Sequence, residues 1–238
     1  SSYSNLGVLA YNMKNLKEAM AYDHKSLAIR KELGDRPGLA ISYNNLGVVY
    51  ETLKQNDDAL AYYDSAFQIS KETGDLRGQA TGFNNTGNIY RAKGMYSKAY
   101  ERHQEGLKVR MAMGDKEGVT NSYNNIGTIS LLEGKKKEAA EFFEKAIRIG
   151  MEVRHRIDLE MSHELMYQVQ EQMGNYALAL KHYKLFIAYR DSLMNEEYTK
   201  KTVQQQMQYE FGKKEEAAQF EQNRKDELVE GRNHPLLL

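Results

Sequence analysis

The stretch Tyr43-Asn44-Asn45-Leu46-Gly47 returns along this chain at a fixed interval of 40 residues. Its copies are Tyr3-Ser4-Asn5-Leu6-Gly7, Phe83-Asn84-Asn85-Thr86-Gly87 and Tyr123-Asn124-Asn125-Ile126-Gly127. Twelve residues after each glycine stands an alanine, and a fifth alanine keeps the spacing: Ala19, Ala59, Ala99, Ala139 and Ala179. Self-similarity at a period of about 20 to 50 residues is typical of repeat architectures. The chain is therefore predicted to be a stack of equal units.

Each unit is predicted to be a pair of helices. Asp35 is a favourable N-cap residue, and Pro37 suits a first helical turn. Apolar residues then recur at steps of three and four, the spacing of one helix face: Leu39, Tyr43, Leu46, Tyr50 and Leu53. After a polar break at 54–56, a second set predicts another helix: Ala59, Tyr63, Ala66 and Phe67. Gly74 is expected to end that helix, so each repeat is predicted to be a hairpin.

The composition excludes several classes of protein. The 238 residues carry 33 Lys+Arg and 33 Asp+Glu, and zero net charge does not favour nucleic acid as an indiscriminate partner. The chain has no cysteine, which removes disulfides, thiol catalysis and thiolate metal sites. No apolar run approaches the about 18 residues of a membrane helix, so no membrane insertion is expected in these residues. The compartment stays open between the periplasmic and the cytoplasmic side.

No motif of a catalytic or metal site stands out. The six histidines are scattered without a His-Glu-x-x-His pair, so we expect packing histidines rather than metal ligands. A nucleophile elbow and a dinucleotide glycine fingerprint are also missing from the sequence. We therefore expect no catalytic residue, no metal and no cofactor, and we expect that this stretch is not an enzyme.

The repeated pattern of an aromatic residue, Leu-Gly, tyrosine and alanine resembles the tetratricopeptide repeat in its 40-residue form. The resemblance implies an all-α fold, a right-handed superhelix of antiparallel helix hairpins. It covers residues 1–192: a truncated first repeat at 1–34, repeats at 35–74, 75–114 and 115–153, and a degenerate one at 154–192. The last has His163 at the aromatic position and Tyr167 at the glycine. We expect its hairpin to open wider or repack, as in a terminal cap.

Residues 193–230 leave the repeat register and are predicted to form a charged helix, packed on the last repeat or acting as a coiled-coil linker. Residues 231–238 are predicted to be a disordered tail or a vector-derived remnant. The segment 189–197 is similar to the stretch that leaves the array in bacterial signalling proteins with a histidine kinase, a cyclase or a DNA-binding output domain. This implies a sensor or scaffold region, with any kinase or cyclase activity outside these residues. A cytoplasmic regulator that masks a DNA-binding or catalytic partner, and a module that forms homodimers through its C-terminal helix, remain alternatives.

The first helices carry a candidate peptide-binding face. If they lie inside the curve of the stack, their polar residues line a concave groove. An amide offers donors and an acceptor, so a ladder of asparagines can pair with the main chain of an extended peptide. In the family, asparagines at this place contact cargo peptides, which is what the resemblance implies here. The candidate residues are Asn5, Asn45, Asn85, Asn88, Arg91, Asn121, Asn125 and Thr128.

A second role for the asparagines and the chemistry of the ligand also follow from this pattern. The asparagines are alternatively expected to bond between adjacent first helices and only stiffen the stack. Arg91 is nearly the only charge on the face, so the expected ligand is a neutral peptide of mixed polarity rather than an acidic tail.

Small residues are expected where the two helices of a hairpin cross. Glycine within a helix costs about 1 kcal/mol relative to alanine, which requires a packing reason. We predict that Gly47 faces Ala59, with Tyr43 and Tyr50 covering the flanks of the crossing. The residues given this structural role are Gly47, Ala59, Gly87, Ala99, Gly127 and Ala139.

Leucine at either side of this crossing should therefore destabilise the protein. We expect Gly47→Leu and Ala59→Leu each to lower the free energy of unfolding by about 1–3 kcal/mol through overpacking. Thermal or urea unfolding measures the loss, and unchanged stability of both variants would contradict the close crossing.

Overall fold

The computed structural model describes residues 2–201 and Lys213. In this part of the chain all regular structure is helical. The helices are α1 (Ser2–Asn12), α2 (Leu16–Leu33), α3 (Arg36–Thr52), α4 (Asn56–Glu72), α5 (Leu76–Ala92), α6 (Tyr96–Met113), α7 (Lys116–Leu132), α8 (Lys136–Val153) and α9 (Arg156–Gln172), and residues 176–201 are also helical. Helices α1, α3, α5 and α7 each pack against the next helix as a hairpin, and each of these hairpins packs against the first helix of its successor. The predicted all-α hairpin solenoid is confirmed.

The chain divides into two compact units, residues 1–189 and 190–238. The first contains α1 to α9 and the helical residues 176–189. Residues 190–201 of the second unit are helical, with an ion pair between Lys200 and Glu196 at 3.1 Å. The predicted array boundary at residue 192 stays a prediction. Apart from Lys213, the predicted helix beyond 201 and the tail 231–238 lie outside the described residues.

A Gly-Asp pair forms the turn at each of the first three junctions between hairpins. Gly34, Gly74 and Gly114 have φ of 65°, 70° and 69°, a left-handed conformation that suits glycine. The aspartate that follows each of them accepts a hydrogen bond from a backbone N–H in the first turn of the next helix, as an N-cap should: Asp35 from Gly38, Asp75 from Gly78 and Asp115 from Gly118. At the fourth junction Arg154 takes the left-handed conformation, and the His155 side chain accepts no capping hydrogen bond from the backbone of α9.

Within each of the first four hairpins, the helical glycine makes room for one side chain of the second helix. A Cβ atom on Gly47 would lie 2.5 Å from the ring of Tyr63, and one on Gly127 would lie 2.6 Å from the ring of Phe143. We call this position of the second helix, four residues after the repeated alanine, the glycine seat. In the first four hairpins it holds Asp23, Tyr63, His103 and Phe143.

The predicted partner of Gly47 was wrong. The helices do cross closely, but the three atoms nearest to a Cβ on Gly47 all belong to Tyr63 and not to Ala59. Ala59 is fully buried beside the crossing, in a cluster with Tyr63 and Ile89. The predicted aromatic flank is present, because the rings of Tyr43 and Tyr50 lie 6.2 and 5.1 Å from that of Tyr62.

The fifth hairpin is packed differently, as its sequence predicted. Tyr167 replaces the glycine, and its ring lies edge-on to Tyr183, the residue at the seat position, at 5.3 Å. Tyr183 is 43 % exposed, whereas Tyr63 in its glycine seat is 0 % exposed. The side chain of Tyr167 therefore keeps Tyr183 at the surface. The ring of Tyr167 stacks on that of Phe186.

The buried His103 should make stability depend on pH. It is 2 % exposed, and among the described residues no hydrogen-bond partner reaches its Nε2 atom. Burial, assisted by the charges of Arg91 and Arg110, lowers the pKa of His103 from 6.5 to about 4. The unfolded chain therefore binds a proton that the folded chain does not, so stability falls as pH decreases from 6.5 toward 4.

We expect His103→Phe, which copies Phe143, to stabilise the protein by about 1 kcal/mol at pH 7.5, because an unpaired buried polar atom is removed. At pH 5 the gain should be larger by about 2 kcal/mol, since about 1.4 kcal/mol accompanies each pH unit below the unfolded pKa. Urea unfolding at both pH values measures this. His163, whose pKa burial also lowers to about 4, keeps part of the pH dependence in the variant. An equal gain at both pH values would exclude His103 as a source.

Candidate functional site

The first helices form one layer of the hairpin stack. Those of successive hairpins contact each other, in the pairs α1 with α3, α3 with α5 and α7 with α9. Among α1 to α9, second helices contact mainly their own first helix and the one that follows. The first helices are therefore on the inner side of the stack. We call their side away from the second helices the first-helix face; on it, Ile41 is 53 % exposed.

The asparagines of the first-helix face bond to each other across neighbouring repeats. The Nδ2 of Asn85 donates to Oδ1 of Asn44 at 2.9 Å, and the Nδ2 of Asn125 donates to Oδ1 of Asn84 at 2.9 Å. In each case the second asparagine of one repeat bonds to the first asparagine of the preceding repeat. This amide ladder ties α3, α5 and α7 together, as the stiffening interpretation expects.

The amide ladder changes partners at both ends of the array. In the first repeat Ser4 stands at the first asparagine position, and Asn45 donates to its Oγ at 3.4 Å and to Oδ1 of Asp23 at 3.2 Å. At the other end the second asparagine position is occupied by Leu165, whose side chain has no amide group. Asn124 instead exchanges hydrogen bonds of 2.9 and 3.1 Å with Ser162 and is buried.

The amide ladder leaves carbonyl oxygens free. The amide nitrogen of Asn45 donates to Ser4 and Asp23, and that of Asn125 donates to Asn84 and to Asn121 at 3.1 Å. Within residues 2–201 no hydrogen bond reaches the Oδ1 atom of Asn45 or of Asn125, and neither is enclosed. An amide has two N–H donors, so these two side chains have only acceptors left. The face therefore offers fixed acceptors at Asn45 and Asn125.

The other predicted site residues are less available. Asn88 is half-buried, and its enclosed Oδ1 has no hydrogen-bond partner in the described part of the chain. The hydroxyl of Thr128 donates to the carbonyl of Asn124 at 2.8 Å. Asn5 and Arg91 are exposed, on α1 and in the last turn of α5. The structure thus joins Asn85, Asn121 and Asn125 into one network through Asn84, and it ties Asn45 separately to Ser4 and Asp23.

The sequence interpretation missed part of this face. The first asparagine of each pair provides the acceptors of the amide ladder, a role found only in the structure. A hollow of about 320 Å³ also lies where α3, α4 and α5 meet, and its walls include Ile41, Asn44, Arg77 and Thr81. The signal for the pairing was present, because both asparagines recur at 40 residues.

Neither a metal site nor a membrane-spanning helix is found in the described part of the chain. Within residues 2–201 and Lys213, no three His, Cys, Asp or Glu side chains are grouped so that they could hold a metal ion. In the same residues, no helix combines the length and the apolar character that crossing a membrane requires.

Stacked helical hairpins with an amide-lined inner layer define a helical repeat solenoid. The family model of the tetratricopeptide repeat matches residues 1–72 and 78–151. The chain therefore belongs to the tetratricopeptide repeat family.

Solved structures share this fold at low sequence identity. BtubC from P. vanneervenii has 21% identity and a TM-score of 0.71, with 80% of this chain and 79% of that chain covered. The apo form of RapI has 19% identity and a TM-score of 0.73, with coverage of 83% and 72%. A Rap protein complexed with Competence and Sporulation Factor has 18% identity and a TM-score of 0.72, with 82% of this chain and 55% of that chain covered. No curated protein matches the chain.

The contribution of the amide ladder to stability is measurable by a double-mutant cycle on Asn44→Ala and Asn85→Ala. We expect a coupling free energy of about 0.5–1.5 kcal/mol, the net value of a hydrogen bond in a folded protein. The matched control is Asn5→Ala with Asn85→Ala, which share no hydrogen bond and should be additive. Additivity in both cycles would mean that the ladder does not couple the first helices.

Proposed function

We propose that the first-helix face binds an extended peptide segment of a partner protein through main-chain hydrogen bonds. The observation that carries this proposal is the pair of free carbonyl oxygens on Asn45 and Asn125. Their amide nitrogens are held by the ladder, so the acceptors are fixed before a ligand arrives. Binding then costs little side-chain ordering, which favours affinity.

The geometry sets the length of the expected peptide. Packed helices lie about 8–10 Å apart, and an extended chain advances about 3.3–3.6 Å per residue. About three peptide residues therefore pass each first helix. Asn45 lies on α3 and Asn125 on α7, two first helices further along the stack. A peptide that reaches both acceptors therefore needs about six residues or more.

The walls of the face favour a peptide of mixed polarity. The hollow where α3, α4 and α5 meet combines an apolar wall at Ile41 with polar groups at Asn44, Thr81 and Arg77. Main-chain recognition by amides does not select side chains, whereas such hollows do. Sequence preference is therefore expected to be modest and to arise beside the amide ladder.

We also propose that the array is a sensor or scaffold region of a bacterial signalling protein. Two observations support this: the segment 189–197 is similar to the exit from the array in such proteins, and a Rap protein of similar fold is solved with Competence and Sporulation Factor bound. The flanking reading frame tests the context. A membrane span followed by kinase motifs supports the sensor role, and a helix-turn-helix supports the alternative regulator.

A peptide array tests the groove directly. We expect the wild-type protein to bind a subset of random decapeptides and the triple variant Asn45→Ala/Asn85→Ala/Asn125→Ala to lose at least tenfold in affinity, because the acceptors are removed. The matched control is Gln68→Ala/Glu101→Ala/Glu141→Ala, three exposed positions on α4, α6 and α8, which should bind like wild type.

Backbone N-methylation of a bound decapeptide separates main-chain from side-chain recognition. Since the fixed groups on Asn45 and Asn125 are acceptors, removing peptide N–H donors should abolish binding. Equal binding by the triple variant and wild type, or full tolerance of N-methylation, would reject the proposed groove.

A further inference from the structure

The first hairpin fills its glycine seat differently from the next three. Tyr63, His103 and Phe143 place a ring against the helical glycine, whereas Asp23 places a short carboxyl group against Gly7. A carboxyl group fills less volume than any of these rings, and interiors tolerate little unfilled space. A cavity of about 60 Å³ is found here, between α1, α2 and α3. It occupies the place that a ring would fill.

Within residues 2–201 the buried carboxyl group of Asp23 forms no ion pair, although Arg30 and His24 lie near enough to attract it. Asp23 is 2 % exposed, and its Oδ1 accepts a hydrogen bond from Asn45 at 3.2 Å. Asp23 takes part in none of the ion pairs found within residues 2–201. The nearby Arg30 donates instead to the carbonyl of Gly38 and to the hydroxyl of Ser42.

A buried carboxylate with one neutral hydrogen-bond partner is unfavourable, and burial raises the pKa of Asp23 accordingly. A cation brought into the cavity would stabilise the ionised form. The cavity therefore complements positive charge.

The walls of the cavity suit an alkyl chain. Val8, Tyr11, Val48 and Val49 line it together with Asp23, Gly7 and Asn45. Val8 is exposed and Val48 half-buried on the first helices α1 and α3, so the cavity opens on the first-helix face. A side chain that enters from this face passes apolar walls before it reaches the carboxylate. A lysine side chain has this order of groups, an aliphatic stem followed by a compact ammonium.

We propose that the cavity above Asp23 is a specificity pocket for a lysine side chain of the bound peptide. The inference rests on the proposed peptide groove, which it deepens by naming one residue of the ligand. Lysine fits better than arginine, because 60 Å³ suits a compact ammonium and not a broad planar guanidinium. The pocket then binds one side chain selectively, while the amide ladder binds the main chain.

The test uses N-acetyl-lysine N-methylamide and its uncharged analogue N-acetyl-norleucine N-methylamide as probes. We expect the lysine compound to shift the backbone amide NMR signals of Gly7, Asn45 and Val48 in a saturable way, and the norleucine compound to bind at least tenfold more weakly. Asp23→Asn, nearly the same in shape, should bind the lysine compound at least tenfold more weakly than wild type. Asp58→Asn, which neutralises an exposed acid on α4, should bind it like wild type.

A second variant separates binding from folding. Asp23→Phe fills the seat as Phe143 does, so it should keep or raise thermal stability and abolish the lysine response. Equal binding of the two probes, or an undiminished response in Asp23→Asn or Asp23→Phe, would overturn the pocket.

The peptide array reports on the groove separately. If decapeptides bind without a preference for lysine at one position, or with a preference for arginine there, the pocket fails and the groove stands. If no decapeptide binds, the groove fails, and the two small probes still decide whether Asp23 receives an ammonium group.

Discussion

The close approach of two helices at the glycine seat is the contact on which the rest of the structure depends. Glycine within a helix costs about 1 kcal/mol, whereas burying a large side chain contributes about 1.5–3 kcal/mol. The gain from burial exceeds the cost of the glycine where the seat holds the fully buried Tyr63 or Phe143. Tyr167 shows the reverse case, because a side chain at the glycine position leaves Tyr183 exposed at the surface. The glycine thus decides how closely each hairpin closes.

The amide ladder connects hairpins that are closed in this way. Each rung uses amide N–H groups to join neighbouring first helices. The N–H groups of Asn45 and Asn125 are all donated, which leaves only acceptors on these two side chains. Stiffening and peptide recognition are therefore not competing roles for these asparagines. The same hydrogen bonds that hold the helices together also use the amide donors, so the acceptors of Asn45 and Asn125 remain.

Hairpins whose glycine seat holds a polar side chain have properties that the other hairpins lack. Burial of His103 in its seat lowers the pKa of the imidazole, which links stability to pH. Asp23 in the equivalent seat leaves a charged cavity that opens on the first-helix face. The two substitutions have different consequences because one side chain nearly fills the seat and the other does not. A repeat protein thereby acquires local chemistry without a change in its architecture.

The sequence by itself determined the period, the two helices of each repeat and the turns between them. Those features depend on short-range physics: apolar spacing along a helix, Asp35 as an N-cap, and glycines in left-handed turns such as Gly74. It also indicated that the fifth hairpin would repack, since Tyr167 has no room where a glycine belongs. The asparagines of the first helices were found because they recur at 40 residues.

Only the tertiary structure decided which side chains meet. Gly47 faces Tyr63 and not Ala59, because the crossing of two helices, and not their sequence spacing, selects the facing residue. Likewise, Asn85 meets Asn44 through the packing of helices from different repeats. The cavity beside Asp23 exists only because three helices surround a seat that no ring fills. Local sequence fixes an element, but contacts between elements depend on distances and angles that no single segment contains.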